Sequence, residues 1–387
     1  MRSSFIISIA VGASLVAAAP SRWPHAVKRA SVNTTTSPSF PTGSSSNNSK
    51  FTYPLSNGFP TYEDVTDIEK IAGGSLSNAP GPASVQDSTL AALRLIAFNE
   101  LSEVAFFTEL LQNITNEVPG YESLNGFSKD YLVSIFEAIQ AQEELHVLNA
   151  NIALASLDTR NITGPIQACK YQFPVQSLSE AIVLANTFTD VVLGTLADTQ
   201  TALAKSNDIG LISGLGSVIG QEGEQNGFFR LFEQRRPSAQ PFLTISAPQF
   251  AFSALNQMFV SDCPQDITSF GLGEPFGALT VLNSTILPGD QTLTFEATAA
   301  AGSNITSLEG LELVYINGVN LPIVEQITNV QPVGNGTWRF DAFFPQQSRI
   351  MSGLTIAAVT STADFSAASV DDVAAHTVFA PGLIEVF

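Results

Sequence analysis

Four segments between Thr89 and Glu233 keep a helical period, and in three of them the apolar seam is broken by a carboxylate. The first, Thr89 to Leu111, runs Leu93, Ala97, Glu100, Val104, Phe107, Leu111, with Glu103 one turn beyond Glu100. The second, Lys129 to Leu157, runs Leu132, Phe136, Ile139, Glu143, His146, Ala150, Ala153. The third, Ser177 to Lys205, runs Ala181, Leu184, Phe188, Val191, Thr195 and has no acid in its seam. The fourth, Ile209 to Glu233, runs Leu211, Leu215, Val218, Glu222, Gln225, Phe229. Residues spaced this way share one face of a helix. A carboxylate on such a face is costly to bury unless it is paired or metal-bound. Three helices must therefore bring their acids to one axis. A four-helix bundle with a long second-to-third connection, Asp158 to Gln176, meets that demand. A fifth helix is expected from Ser246, placed to cap it, through Pro248 in its first turn to about Val260.

After Pro264 the period changes from helical to alternating. Leu293, Phe295 and Ala297 alternate with Thr292, Thr294 and Glu296. Leu313 to Ile316 runs into Asn317-Gly318, and Asn335-Gly336 precedes Trp338, Phe340 and Ala342; both pairs are favoured two-residue hairpin turns. Leu354 to Val359 and Val378 to Phe387 add further strands. The fold class expected is α+β multidomain, with helices over 89–264 and a β-sandwich over 265–387.

Ahead of the helices lies a different kind of sequence. Residues 1–18 carry one early charge, Arg2, and an apolar stretch from Phe5 to Val16, as a secretory signal peptide does. The run is too short for a membrane span of ~20 residues. Residues 19–29 end in the dibasic pair Lys28-Arg29 and read as a propeptide. Residues 30–88 form an arm and irregular lead-in, and 14 of the first 21 are Ser, Thr or Asn, too polar to offset chain entropy by burial. Asp64 to Ala72 is expected to form a short helix. Sequons at Asn33, Asn47, Asn113, Asn161, Asn283, Asn304 and Asn335 become N-glycosylation acceptors in a secreted chain. A net charge of −19 argues against nucleic acid and against docking on anionic membranes. In that oxidising compartment the only two cysteines, Cys169 and Cys263, are expected to bridge. The bridge would close 94 residues and contribute up to about 4–5 kcal/mol.

The seam-breaking residues carry what chemistry the sequence offers. Glu143-x-x-His146 sets a carboxylate and an imidazole toward one ion from a single helical turn, and Glu100, Glu103, Glu222 and Gln225 stand on neighbouring helices. A metal-free polar network of the same residues is the rival account. Asp371, Asp372 and His376 could suggest a second site, but a polar loop is the favoured reading. Gly214-x-Gly216 and Gly271-x-Gly273 miss the dinucleotide spacing, and no nucleophile elbow is present.

Three stretches, Leu95 to Leu111 (LIAFNELSEVAFFTELL), Ala138 to Asn149 (AIQAQEELHVLN) and Ile219 to Arg230 (IGQEGEQNGFFR), resemble the secreted ferritin-like proteins of filamentous fungi, the late sexual development proteins being the closest group. The resemblance covers residues 58–264. It implies a ferritin-like bundle and an association with sexual development. Where fuller members carry Glu-x-x-His on the fourth helix, this chain has Glu222-x-x-Gln225, and the third helix offers Thr189 and Asp190 where a ligand Glu would stand. With His146 the one histidine in the helices, a two-histidine dimetal site cannot be assembled. If metal binds, iron or manganese is expected in a degenerate site, as one ion or as a weaker carboxylate-rich pair; a metal-free polar core is the alternative. Three functions follow: a secreted, non-enzymatic developmental or wall protein, which the sequence favours; a metal-dependent oxidase or peroxide-handling enzyme; and an adhesive module for wall polysaccharide or wall proteins.

Overall fold

The computed structural model describes residues 51–52, 65–79, 81–158, 165–365 and 369–387. The signal peptide, the propeptide with Lys28 and Arg29, and the sequons at Asn33, Asn47 and Asn161 lie outside them.

In chain order the elements are β1 (Phe51–Thr52), α1 (Val65–Ala72), α2 (Asp87–Thr115), α3 (Lys129–Leu157), β2 (Lys170–Tyr171), α4 (Leu178–Lys205), α5 (Ile212–Phe232), α6 (Pro248–Met258) and β3 (Val260–Asp262). There follow β4 (Ala278–Val281), β5 (Gln291–Thr298), β6 (Glu312–Asn317), β7 (Ile323–Gln326), β8 (Thr328–Gly334), β9 (Thr337–Phe344), α7 (Gln346–Arg349), β10 (Gly353–Thr360), α8 (Val370–Ala375) and β11 (Thr377–Val386). The chain is thus a mixed α+β protein, helical first and antiparallel sheet second.

Local chemistry starts and stops the helices. Ser128 Oγ accepts from the Tyr131 amide at the head of α3, and Ser177 Oγ accepts from the Glu180 amide at the head of α4. Glu180 returns a carboxylate oxygen to the amide of Gln176, the residue before that cap. Ser246 does not cap α6 as expected: the residue before Pro248 is Ala247, and Ser246 Oγ turns to the Ala247 carbonyl. The expected fourth helix opens with a 3-10 turn at Ile209–Leu211 before α5 proper.

α2 pairs with α3, α4 with α5, and α1 lies on α3. A buried ion pair, Arg94 Nη2 to Asp158 Oδ2 at 2.7 Å, ties α2 to the end of α3, and Arg94 Nη1 donates to the Phe270 carbonyl. The Cys169–Cys263 disulfide is formed and joins the α3–α4 connection to the exit of α6. Gly194 lets α4 press against the following segment: a Cβ there would fall 1.9 Å from the Thr244 carbonyl oxygen.

Two four-stranded antiparallel sheets, ordered β11-β10-β6-β7 and β4-β5-β9-β8, make up most of the second half. Strand alternation sends Leu313 and Tyr315 of β6 into a core with Leu293, Phe295 and Phe340 of the other sheet. The opposite face of β6, with Val314 and Ile316, joins Leu354, Ile356 and Ala358 of β10 in the core that also holds the helices. Every residue of β10 is therefore buried. Asn335-Gly336 makes the expected tight turn, both residues having positive φ, between Gly334 and Thr337. Asn317-Gly318 does not. Asn317 is the last residue of β6, its buried amide donating to Ser352 O, Leu354 O and Thr355 Oγ1, so the chain returns only at Ile323.

Candidate metal centre

Helices α2, α3 and α5 bring four of the sequence-selected residues together. Ligand-capable atoms of Glu100, Glu143, His146 and Glu222 all lie within 4.8 Å of one another. His146 Nδ1 stands 2.8 Å from Glu143 Oε2, 3.4 Å from Glu100 Oε2 and 3.8 Å from Glu222 Oε1. The three carboxylates are buried, while the imidazole keeps 15% of its side-chain surface exposed and forms the cluster's one opening to solvent among these four residues.

Seven residues along each helix lies a ring of Phe107, Phe136 and Phe229, stacked with centroids 6.3 and 6.0 Å apart about Phe107. At 1.5 Å per residue this aromatic layer sits about 10 Å below the acids and keeps water from that side. The offset is +7 on α2 and α5 and −7 on α3, as antiparallel packing of α3 against the other two requires.

Burial in this setting governs the charges. It pushes the Glu100 carboxyl up to about 7, against the pull of the His146 charge. Burial and then the Glu100 and Glu143 charges hold Glu222 well above the carboxylate range. Burial works to raise Glu143 too, but His146 outweighs it, helped by hydrogen bonds, and Glu143 ends below its ordinary value. Burial alone would lower His146; Glu143 and Glu100 instead hold it well above the usual imidazole range. In the metal-free cluster burial therefore favours the protonated forms of Glu100 and Glu222, while the Glu143–His146 pairing favours a carboxylate facing an imidazolium.

The donor set fits a cation. Neither oxygen of Glu222 has a hydrogen-bond partner among the described residues, and Glu100 meets only His146 and Glu143 of the cluster itself, although all four oxygens are buried. Orphaned acceptors of this kind are rare in native proteins, and each is costly to leave unmade. Three carboxylates and one imidazole suit iron or manganese.

The other expected ligands stand around the cluster. Gln225 Nε2 donates to Glu143 Oε1 at 2.7 Å and to Gln142 Oε1 at 3.0 Å, so its amide orients a carboxylate. Glu103 is buried one turn beyond Glu100 and accepts from Asn99 Nδ2 at 3.0 Å. Burial, then the charges of Glu143, Glu100 and Glu222, raise its carboxyl well above the ordinary range. Thr189 and Asp190 are buried on α4, and Asp190 is taken by Arg230 of α5. Asp371 and Asp372 lie not in the loop expected but in the short helix α8, which the Ser369–Asp372 capping box starts and His376 ends, apart from the cluster.

Of the sequons described, Asn304 and Asn335 are exposed, Asn283 Oδ1 accepts from the Thr294 amide, and Asn113 is half-buried against Tyr121. The sequence reading missed the Arg230–Asp190 pair; an arginine directly after two phenylalanines on a buried helix was the available signal.

No family model matches the chain, and no curated protein matches it.

Proposed function

We propose that this is a secreted, glycosylated ferritin-like protein whose four-helix bundle holds one iron or manganese ion, followed by a β-sandwich. The observation that carries the reading is the convergence of Glu100, Glu143, His146 and Glu222 from three helices on one point, with buried acceptor oxygens lacking donors. Glu143 and His146 anchor the ion from one turn of α3, and Glu100 and Glu222 close it from α2 and α5. Gln225 holds Glu143 by hydrogen bond and supplies no second imidazole, which limits the site to one ion. The sequence likeness to fungal late sexual development proteins supports a role in development or at the cell wall, without turnover. A bound ion would supply a fixed positive charge that neutralises the buried acids. The protein's own contribution is to hold Glu143 ionised, to point His146 Nδ1 at the three acids, and to shield the acids from water by the Phe107–Phe136–Phe229 layer.

The test is elemental analysis of protein purified without chelator from its native secretions. One ion per chain, lost in His146→Ala, is the expected outcome. Wild type without stoichiometric metal, melting identically with and without chelator, would overturn the reading and leave a polar network.

A further inference from the structure

Helix α1 rests lightly on α3: Ile68 is its only buried residue. A segment with so little apolar surface buried opens locally at small cost. Its C-terminus is closely defined all the same. Gly73 takes a positive φ of 76°, and the Gly74 amide donates to the Glu69 carbonyl at 3.1 Å, the left-handed closure that ends many helices. A helix cannot satisfy its last carbonyls with its own amides. Gln142 of α3 takes one of them, Nε2 donating to Ala72 O at 3.2 Å.

That bond sets the direction of a run of amides. A peptide carbonyl only accepts, so Gln142 presents Nε2 to Ala72 and has Oε1 left for its other neighbours. Gln142 Oε1 accepts from Gln221 Nε2 and from Gln225 Nε2, both at 3.0 Å. Gln225 Nε2 uses its second hydrogen on Glu143 Oε1, at 2.7 Å. The run thus ends on an acceptor at each side, a main-chain carbonyl on α1 and a carboxylate of the metal cluster. Neither Gln142 nor Gln225 can flip its amide without losing bonds on both sides. Gln142 also stands four residues before His146 on α3, where such residues are neighbours on one face.

We propose that, in the metal centre inferred above, α1 is a clasp and Gln142 its positioning residue: docking of α1 sets Gln142, Gln142 sets Gln225, and Gln225 sets the Glu143 carboxylate for the ion. With α1 undocked, Gln142 is free to turn, and Gln225 loses the acceptor that aims it at Glu143. Because the same bonds join the two events, docking of α1 and binding of the ion strengthen each other by one shared factor. Groups that orient a metal ligand contribute about 10- to 100-fold in affinity, and a connection through two amides belongs at the lower end, about tenfold.

Hydrogen exchange and Mn(II) titration of the full-length secreted protein test this. Saturating Mn(II) should slow exchange in peptides covering 65–76 about tenfold and leave those of α8, another short helix off this run, unchanged. Gln142→Leu bonds at neither end, and Ile68→Asp undocks α1 without touching an amide of the run. Each should weaken Mn(II) binding about tenfold and abolish the effect of Mn(II) on 65–76. The double variant should bind no more weakly than either single one, since both cut one connection. Additive losses would mark two unrelated structural defects and overturn the clasp. Wild type that binds Mn(II) with exchange in 65–76 unchanged would overturn the clasp and leave the metal centre standing. Wild type that takes up no Mn(II) would overturn both. The wild-type comparison stands even if a variant fails to fold.

Discussion

Replacing Glu222 by Gln separates a metal site from a polar network, because the two accounts predict opposite effects on the metal-free protein. Glu222 is buried, its oxygens accept no hydrogen bond among the described residues, and burial with neighbouring acids holds its carboxyl well above the ordinary range in the absence of metal. A neutral amide of the same shape removes no partner, so the metal-free variant should melt at or above the wild-type temperature. Metal tells the reverse. An ion at a hundred times its Kd stabilises the wild type by about 2.7 kcal/mol. At about 2 °C per kcal/mol for a chain of this size, that is a rise of about 5 °C. Losing one of three carboxylate ligands should weaken binding at least about a hundredfold, the upper end for losing a group that merely supports a ligand. At the same metal concentration the ion then sits near its Kd and adds only about 0.4 kcal/mol, a shift under about 1 °C. Scanning calorimetry of both proteins, with chelator and with added Mn(II), reads all four numbers. A metal-free Glu222→Gln protein that melts several degrees low, beside a wild type indifferent to manganese, would refute the argument.

Apparent metal affinity should rise with pH through about 7 and continue to rise above it, because Glu100 and then Glu222 and the His146 imidazolium must give up protons to bind; isothermal titration at several pH values checks this. The raised Glu100 carboxyl has a stabilising contribution in the metal-free protein that is complete below about 4.5 and lost by about 7, so chelated protein should melt higher at pH 5 than at pH 7. Cys169→Ser with Cys263→Ser should lower stability by up to about 4–5 kcal/mol, since the bridge closes a 94-residue loop, as denaturant titration would record. Asn304→Gln and Asn335→Gln should each remove one glycan mass from secreted material, whereas Asn113→Gln should leave the mass pattern unchanged because that side chain is half-buried against Tyr121.

The helices were legible because their signals are local. The α3 boundaries, Lys129 and Leu157, and the Ser177 cap of α4 follow from period and capping chemistry within a few residues. The cluster was legible for the same reason: an acid in an apolar seam is an anomaly that a single helix displays. Partners supplied by distant segments were not. Nothing near Gln142 in the sequence announces that the Ala72 carbonyl will arrive beside it. Asn317-Gly318 misled because its turn chemistry was sound locally, while the Asn317 amide found better acceptors on β10. The edge strands β7 and β8, held mainly by pairing with β6 and β9, carry too weak an alternation to stand out.

The sheet that turns one face to its companion sheet and the other to the helices makes these two halves unsuitable as interchangeable cassettes. A helical fragment ending at 264 would uncover the surface that Val314, Ile316, Leu354, Ile356 and Ala358 now cover, and the sheets alone would present those five side chains to water. Gene fusion or recombination at that junction would yield two sticky, aggregation-prone pieces. Substitutions on α4 or α6 are therefore constrained by residues more than a hundred positions away, and the helical half and the sheet half should be inherited together.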